Sequence, residues 1–164
     1  MERKPISMKW LISYFSQIRH FTPNMIPLNT TIYPPAFFTE CGIHLDKNGI
    51  ILGQSCFDVV PKVDGCPCKS KTPPNCPFLT KYYAQLQSIT RERFKYLYEV
   101  NLPRAAKYRF NANIDTLVLI VYEKYDNPCS ERVMLQRWFK EHGIELAEFV
   151  PSKHATSTVV SSLI

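Results

Sequence analysis

The sequence predicts an α/β protein: a single compact Rossmann-like domain in which a small, mainly parallel sheet is flanked by helices. Three observations lead there. An all-apolar run at residues 117–121 passes through a polar loop into an amphipathic segment. Two β-branched and aromatic runs lie near the N-terminus, and apolar residues recur at helical spacing between these regions. A chain of 164 residues and 19.0 kDa can bury one core.

Two strands and a hairpin are predicted in the first third of the chain. Residues 8–15 have the composition of a strand, and residues 25–32 form a second, which Tyr33-Pro34-Pro35 ends. Between them there is room only for a short helix or loop, because a proline turn follows. Asn48-Gly49 stands between two apolar runs, which predicts a β-hairpin.

An irregular insertion and two helices are expected next. Residues 56–77 hold four cysteines and five prolines with little apolar periodicity, so hairpin and insertion together cover residues 40–77. Apolar spacing then predicts helices near residues 78–86 and 94–102, packed as a hairpin. Pro103 is expected to end the second helix, with a further turn after it.

The last helix is predicted to follow the strand at residue 116. Asn127 can cap it, Pro128 suits its first position, and Gly143 should terminate it. Residues 144–150 are predicted to form a short strand. The domain is therefore expected to span residues 1–151, and residues 152–164 to form a flexible C-terminal tail.

The charge and the termini bear on partners and location. A formal charge of +6 favours polyanions electrostatically, although it is equally typical of an ordinary soluble surface. No apolar run is long enough to span a membrane, and the N-terminus is a poor signal peptide. A cytoplasmic protein is predicted, in which cysteines serve as reduced thiols or metal ligands.

Three segments carry a resemblance to a known family. They are Ser13-Tyr14-Phe15 with Ile18, the strand ending at Tyr33-Pro34-Pro35, and the stretch from Tyr122-Glu123-Lys124 to Cys129 and Arg132. Together they resemble the uncharacterised family catalogued as domain of unknown function 488. The resemblance implies Rossmann-like layering with a pocket formed by the first and last motifs, and it implies no activity. This chain lacks the histidine that follows the cysteine in the family's motif, and its Cys-rich insertion is not a feature of the family's core.

The junction at residues 122–132 is the first candidate site, because α/β proteins bind ligands outside the carboxyl ends of strands, beside helix N-termini. Arg132 and the helix N-terminus are predicted to hold an anion or nucleotide, with Cys129 or Glu123 as nucleophile or proton carrier. In the alternative, Cys129 packs the loop and Arg132 pairs with Glu123 or Glu131. The catalytic candidates are Cys129, Glu123 and Tyr14, and the anion-binding candidates are Ser13, Arg19, Tyr33, Tyr122 and Arg132.

The reaction at this junction is not defined by the sequence. An enzyme would act on a nucleotide, nucleobase or nucleic acid, but no complete catalytic constellation is present, so catalysis and binding both stay open. Only two residues separate Cys129 from Arg132, whereas tyrosine-phosphatase loops place five there, which disfavours phosphatase chemistry.

A structural zinc site is predicted in the insertion, because a proline-rich loop without its own core would be stabilised by a metal. The expected ligands are Cys56, Cys66, Cys68 and Cys76. His44 is an alternative fourth ligand, and free surface thiols are the alternative to a metal site.

A basic and aromatic region between residues 81 and 110 could bind nucleic acid by stacking and charge. The predicted contacts are Arg91, Arg93, Lys95, Arg104, Lys107 and Arg109. Aromatics at helical spacing are also typical of a core. The alternative function is therefore a non-enzymatic, zinc-stapled basic module that binds nucleic acid or a protein partner.

Overall fold

A computed structural model describes residues 8–62, 77–122 and 131–151. In chain order the elements are β1 (Lys9–Tyr14), β2 (Met25–Asn29), α1 (Ala36–Thr39), β3 (His44–Leu45), β4 (Ile51–Leu52), α2 (Pro77–Gln87), α3 (Arg91–Lys95), α4 (Leu102–Phe110), β5 (Thr116–Val121), α5 (Glu131–Glu141) and β6 (Ala147–Glu148). The sheet is parallel and has the strand order β2-β5-β1-β6, with a separate antiparallel hairpin of β3 and β4. Helices flank the sheet, so the predicted α/β class and Rossmann-like layering are confirmed.

Strand β5 is the centre of the sheet, as its unbroken apolar sequence predicts. It pairs in parallel with β1 on one side and β2 on the other, and all six of its residues are buried. The register sets both Ser13 and Asn29 beside Ile120. The carboxyl ends of these three strands are therefore level, and they form one edge of the sheet.

Alternate side chains of the strands enter two separate cores. Leu117 and Leu119 belong to a core shared with α2, α3, α4 and α5, whereas Val118 and Ile120 belong to a core that includes Phe38 of α1 and the hairpin. This division follows from the two-residue period of a strand. We call the first the α5 face and the second the hairpin face.

Strand β2 ends at Asn29, three residues before its predicted end. The Asn29 side chain folds back on the chain: its Oδ1 accepts the N–H of Thr31 at 2.9 Å, and its Nδ2 donates to the Thr31 carbonyl at 2.9 Å. Such local side-chain bonds compete with the strand ladder. The predicted hairpin is confirmed, and a 3₁₀ helix at Phe15–His20 fills the predicted gap between β1 and β2.

Pro103 does not end its helix, so that prediction was wrong. Between α3 and α4 the chain forms a π-helical segment at Tyr96–Asn101, and helical backbone continues to Phe110. The Leu102 N–H bonds the carbonyl of Leu97, five residues earlier. A π turn is wider than an α turn, which relieves the clash between a proline ring and the carbonyl four residues before it. Residues 91–110 thus form one continuous helix, here called the basic helix.

Helix α5 is described from Glu131, so Asn127 and Pro128 lie outside the described residues. It ends at Glu141, and Gly143 follows with a φ of +77°, as predicted. The bond from the Ile144 N–H to the Phe139 carbonyl at 2.9 Å closes this end. Within the described ranges, no helix is long and apolar enough to cross a membrane.

Candidate functional site

The start of α5 is tied to the end of β2. Glu131, the first described residue of the helix, is buried, and the Thr30 hydroxyl lies 2.7 Å from its Oε1. The same hydroxyl lies 2.8 Å from the carbonyl of Ile120 in β5. One hydroxyl therefore bridges two strands and a helix at the carboxyl edge of the sheet.

Arg132, the main predicted anion ligand, is only 2% exposed and forms an ion pair with Glu148 of β6. The Nε to Oε2 distance is 2.5 Å. Burial raises the pKa of the Glu148 carboxyl, and the nearby guanidinium offsets part of that rise. The sequence-based alternative paired Arg132 with Glu123 or Glu131, and it did not single out Glu148. An anion arriving at Arg132 would have to compete with this carboxylate.

The other residues predicted for this junction are dispersed or lie outside the described part. Glu123 and Cys129 fall in the latter group. Tyr33 projects into solvent, and the ring of Tyr122 contacts that of Phe15, with their centroids 5.4 Å apart. Arg19 lines a cleft on the hairpin face, whereas α5 packs on the opposite face. Of the described residues predicted for this pocket, Arg19 is the one that lines a described cleft.

Ser13 and Tyr14 lie at the end of β1, as predicted. Ser13 is buried, and its hydroxyl has no hydrogen-bond partner among the described residues. The Tyr14 hydroxyl accepts a hydrogen bond from Gln17 at 2.7 Å. Tyr14 is thus held by its own chain segment.

Cys56, the described member of the predicted zinc set, is fully buried in the α5-face core. Burial raises the pKa of its thiol, although a hydrogen bond with the Tyr98 side chain opposes that rise. Cys66, Cys68 and Cys76 lie outside the described residues. His44 Nδ1 is 2.8 Å from the Gly42 carbonyl. No group of three potential metal-binding side chains occurs within residues 8–62, 77–122 and 131–151, and the zinc site stays a prediction.

The predicted nucleic-acid contacts all lie on the basic helix. Two of them pair with acids: Arg91 lies 3.6 Å from Glu99, and Arg93 lies 2.6 Å from Asp58. Arg109 donates to the carbonyl of Ile43 at 3.3 Å. The remaining three are exposed and form no ion pair with any residue that the structure describes; they are Lys95, Arg104 and Lys107.

A cleft of about 640 Å³ opens between the basic helix and the loop at residues 54–58. Leu97 and Leu102 give it apolar walls, and Arg93 and Arg104 contribute guanidinium groups. Two lining aromatics are strongly exposed: Tyr108 at 94% and Phe57 at 71%. We call this the helix cleft. The position of Phe57 at this cleft could not be predicted from the sequence, because no spacing pattern connects the insertion with a helix far along the chain.

Comparison of the chain with protein-family models, curated proteins and solved structures gives no match. The resemblance to the domain of unknown function 488 family therefore stays a prediction.

Proposed function

We propose that this protein binds single-stranded nucleic acid through the helix cleft and the basic helix beside it. One observation carries the proposal: the exposed rings of Phe57 and Tyr108 line the same cleft as the guanidinium of Arg104. Exposed aromatic rings stack on bases, and nearby cations attract the phosphates between them.

The charge distribution supports the same surface. Residues 91–110 contain six basic residues and two acidic ones, and the carboxylates of Glu99 and Asp58 occupy two of the six. Lys95, Arg104 and Lys107 remain on the exposed side of the helix. Three such contacts to a single strand predict a slope of about −2 for the logarithm of affinity against the logarithm of salt concentration.

The rings favour a single strand over a duplex, because stacking on a side chain requires a base whose face is free. The cleft volume of about 640 Å³ lies within the usual range for small-ligand sites. A base with its sugar is therefore of suitable size for it. We propose a cytoplasmic location for this protein, as the sequence predicts. Binding of this kind requires no catalysis.

The test is fluorescence anisotropy with a labelled mixed-sequence oligonucleotide, as single-stranded DNA, single-stranded RNA and duplex. Phe57→Ala and Tyr108→Ala should each lose about 1–3 kcal/mol of binding free energy. Arg104→Ala should make the salt slope shallower by about 0.7. Lys140→Ala removes one exposed charge from α5 and is the matched control.

Two results would overturn the proposal. One is an affinity that does not change with salt. The other is equal binding by wild type, Tyr108→Ala and Phe57→Ala, which would leave only general attraction to a basic surface. A duplex that binds more tightly than either single strand would reject the stacking mode.

A second candidate is the anion or nucleotide pocket predicted at residues 122–132. The Ser13 hydroxyl supports this candidate. It is buried near the carboxyl end of β1, and it has no hydrogen-bond partner among the described residues. Nucleotides should then raise the melting temperature of wild type more than that of Ser13→Ala. If no nucleotide stabilises wild type, this candidate is rejected.

A further inference from the structure

A second cleft, of about 570 Å³, lies on the hairpin face of the sheet, between the 3₁₀ helix, α1 and the hairpin. We call it the hairpin cleft. It shares no lining residue with the helix cleft. Its apolar lining residues are Phe15, Ile18, Phe37 and Leu52, and its charged or titratable ones are Arg19, His44, Asp46 and Lys47.

The two cations of the hairpin cleft are available to a ligand. Arg19 is exposed, and its described hydrogen bond goes to the neighbouring His20 ring at 3.3 Å. Neither Arg19 nor Lys47 forms an ion pair with a carboxylate among the described residues. Both side chains can therefore contact an anion without breaking a described ion pair.

Asp46 is the one acid that lines this cleft, and the hairpin turn engages it. Its Oδ1 accepts the backbone N–H groups of Asn48 at 2.8 Å and of Ile50 at 3.0 Å. These bonds partly offset its negative charge. Arg19 and Lys47 together outweigh the single carboxylate, so these three side chains give the cleft a net positive charge.

His44 is anchored to the hairpin backbone at this cleft. A carbonyl can only accept, so the contact between His44 Nδ1 and the Gly42 carbonyl at 2.8 Å places a proton on Nδ1. Nε2 is then the ring nitrogen that is left for a contact outside the hairpin.

The apolar walls distinguish this cleft from a simple phosphate site. Phe15 contacts Phe37 edge to face, with ring centroids 6.3 Å apart, and Phe37 is about half exposed. Small-molecule sites typically combine such apolar lining with a few polar groups that fix orientation. An inorganic ion would leave these rings uncovered.

We propose that the hairpin cleft binds a small organic anion. Its carboxylate or phosphate contacts Arg19 and Lys47, and its apolar body packs on Phe15 and Phe37. Guanidinium groups bind both kinds of anion bidentately, so the shared chemistry is an anionic head on an apolar group. This site is separate from the proposed nucleic-acid surface and does not depend on it.

The experiment follows backbone amide signals of the full chain by NMR during titration with phenyl phosphate and, separately, with benzoate. Saturable shifts are expected at Phe37, His44 and Lys47, and the stronger ligand identifies phosphate or carboxylate as the preferred head. Inorganic phosphate has only the anionic head, and benzyl alcohol has only the apolar ring. Each should bind at least about 10-fold more weakly than the preferred aromatic anion. Arg19→Ala and Lys47→Ala should each weaken the preferred ligand by about 10-fold, whereas Lys140→Ala should bind as wild type does.

Three outcomes would overturn the proposal. They are the absence of saturable shifts with both aromatic anions, equal affinity for inorganic phosphate and phenyl phosphate, and wild-type affinity in both Arg19→Ala and Lys47→Ala. None of them would affect oligonucleotide binding at the helix cleft, because the two clefts share no residue.

Discussion

Thr30 and Glu131 are 101 residues apart in the chain, yet their side-chain oxygens are 2.7 Å apart where β2 has ended and α5 begins. The next residue, Arg132, forms its ion pair with Glu148 of β6. Strands β2 and β6 are the two outer strands of the sheet. The first two described residues of α5 therefore contact both outer edges of the sheet.

Thr30→Val tests the first of these links. Valine keeps the shape of threonine but removes the hydroxyl, which leaves the Ile120 carbonyl and the Glu131 carboxylate without that contact. The free energy of unfolding should fall by about 1–3 kcal/mol, as measured by urea denaturation. Thr39→Val, at an exposed position in α1, should change it by less than about 0.5 kcal/mol. Similar losses in both variants would contradict a specific role for Thr30.

A double-mutant cycle tests the pair of Arg132 and Glu148. Their side chains are 3% and 32% exposed, so the arginine is much the more desolvated partner. Glu148→Gln replaces the charged partner of this buried guanidinium with a neutral amide and should cost about 1–3 kcal/mol of unfolding free energy. Arg132→Met should cost less, because water can reach the remaining carboxylate.

The double variant Arg132→Met with Glu148→Gln should lose less stability than the sum of the two single losses, since each single variant already removes the contact between these side chains. Thermal and urea unfolding of all four proteins measure this coupling. Additive losses would show that the two side chains act independently.

Asp115 should make stability depend on acidity. Hydrogen bonds from Asn24 at 2.7 Å and Thr116 at 2.8 Å hold the pKa of this carboxyl below its usual range. A lowered folded-state pKa adds stability above the ordinary aspartate value near 3.9, and this stability is lost as pH falls through the folded-state value. Asp115→Asn should therefore flatten the acid limb of a stability profile between about pH 5 and 2. An unchanged limb would contradict the assignment.

Gly53 should resist substitution more strongly than Gly143. Both have positive φ values, +99° and +77°, but a Cβ at Gly53 would collide with the backbone of Gly42, whereas a Cβ at Gly143 would meet nothing nearby. Gly143→Ala should cost about 1–2 kcal/mol from backbone strain alone, and Gly53→Ala should cost clearly more in urea denaturation. Equal losses of unfolding free energy would show that the backbone at Gly42 moves to make room for the Cβ at little cost.

Local patterns predicted much of the fold. Residues 117–121 were recognised as a buried strand because both faces of β5 are covered, which removes any polar alternation. Asn48-Gly49 marked a hairpin, and Gly143 marked the end of α5. Each of these features depends on a few consecutive residues. The error at Pro103 arose because a widened turn one position earlier accommodates the ring, and no short motif announces it.

The candidate sites were harder to predict because they depend on long-range proximity. Glu123 and Glu131 were considered as partners for Arg132 because they lie nearby in sequence, whereas Glu148 reaches it only through the pairing of β6 with β1. Phe57 likewise lines the same cleft as Tyr108 although the two residues lie far apart in the chain. No sequence pattern around Arg19 indicates that its side chain lies beside the hairpin and not beside α5.

The position of β5 also determines when the sheet can assemble. Strands β1 and β2 come early in the chain, but they do not pair with each other, and both pair with β5. A chain synthesised only as far as α4 therefore has two apolar strands and lacks the strand that joins them. Pairing across roughly one hundred residues is slow, because a long loop must close before any contact rewards it. Before β5 is synthesised, β1 and β2 lack the strand that pairs with both of them, and exposed apolar strands of this kind promote aggregation.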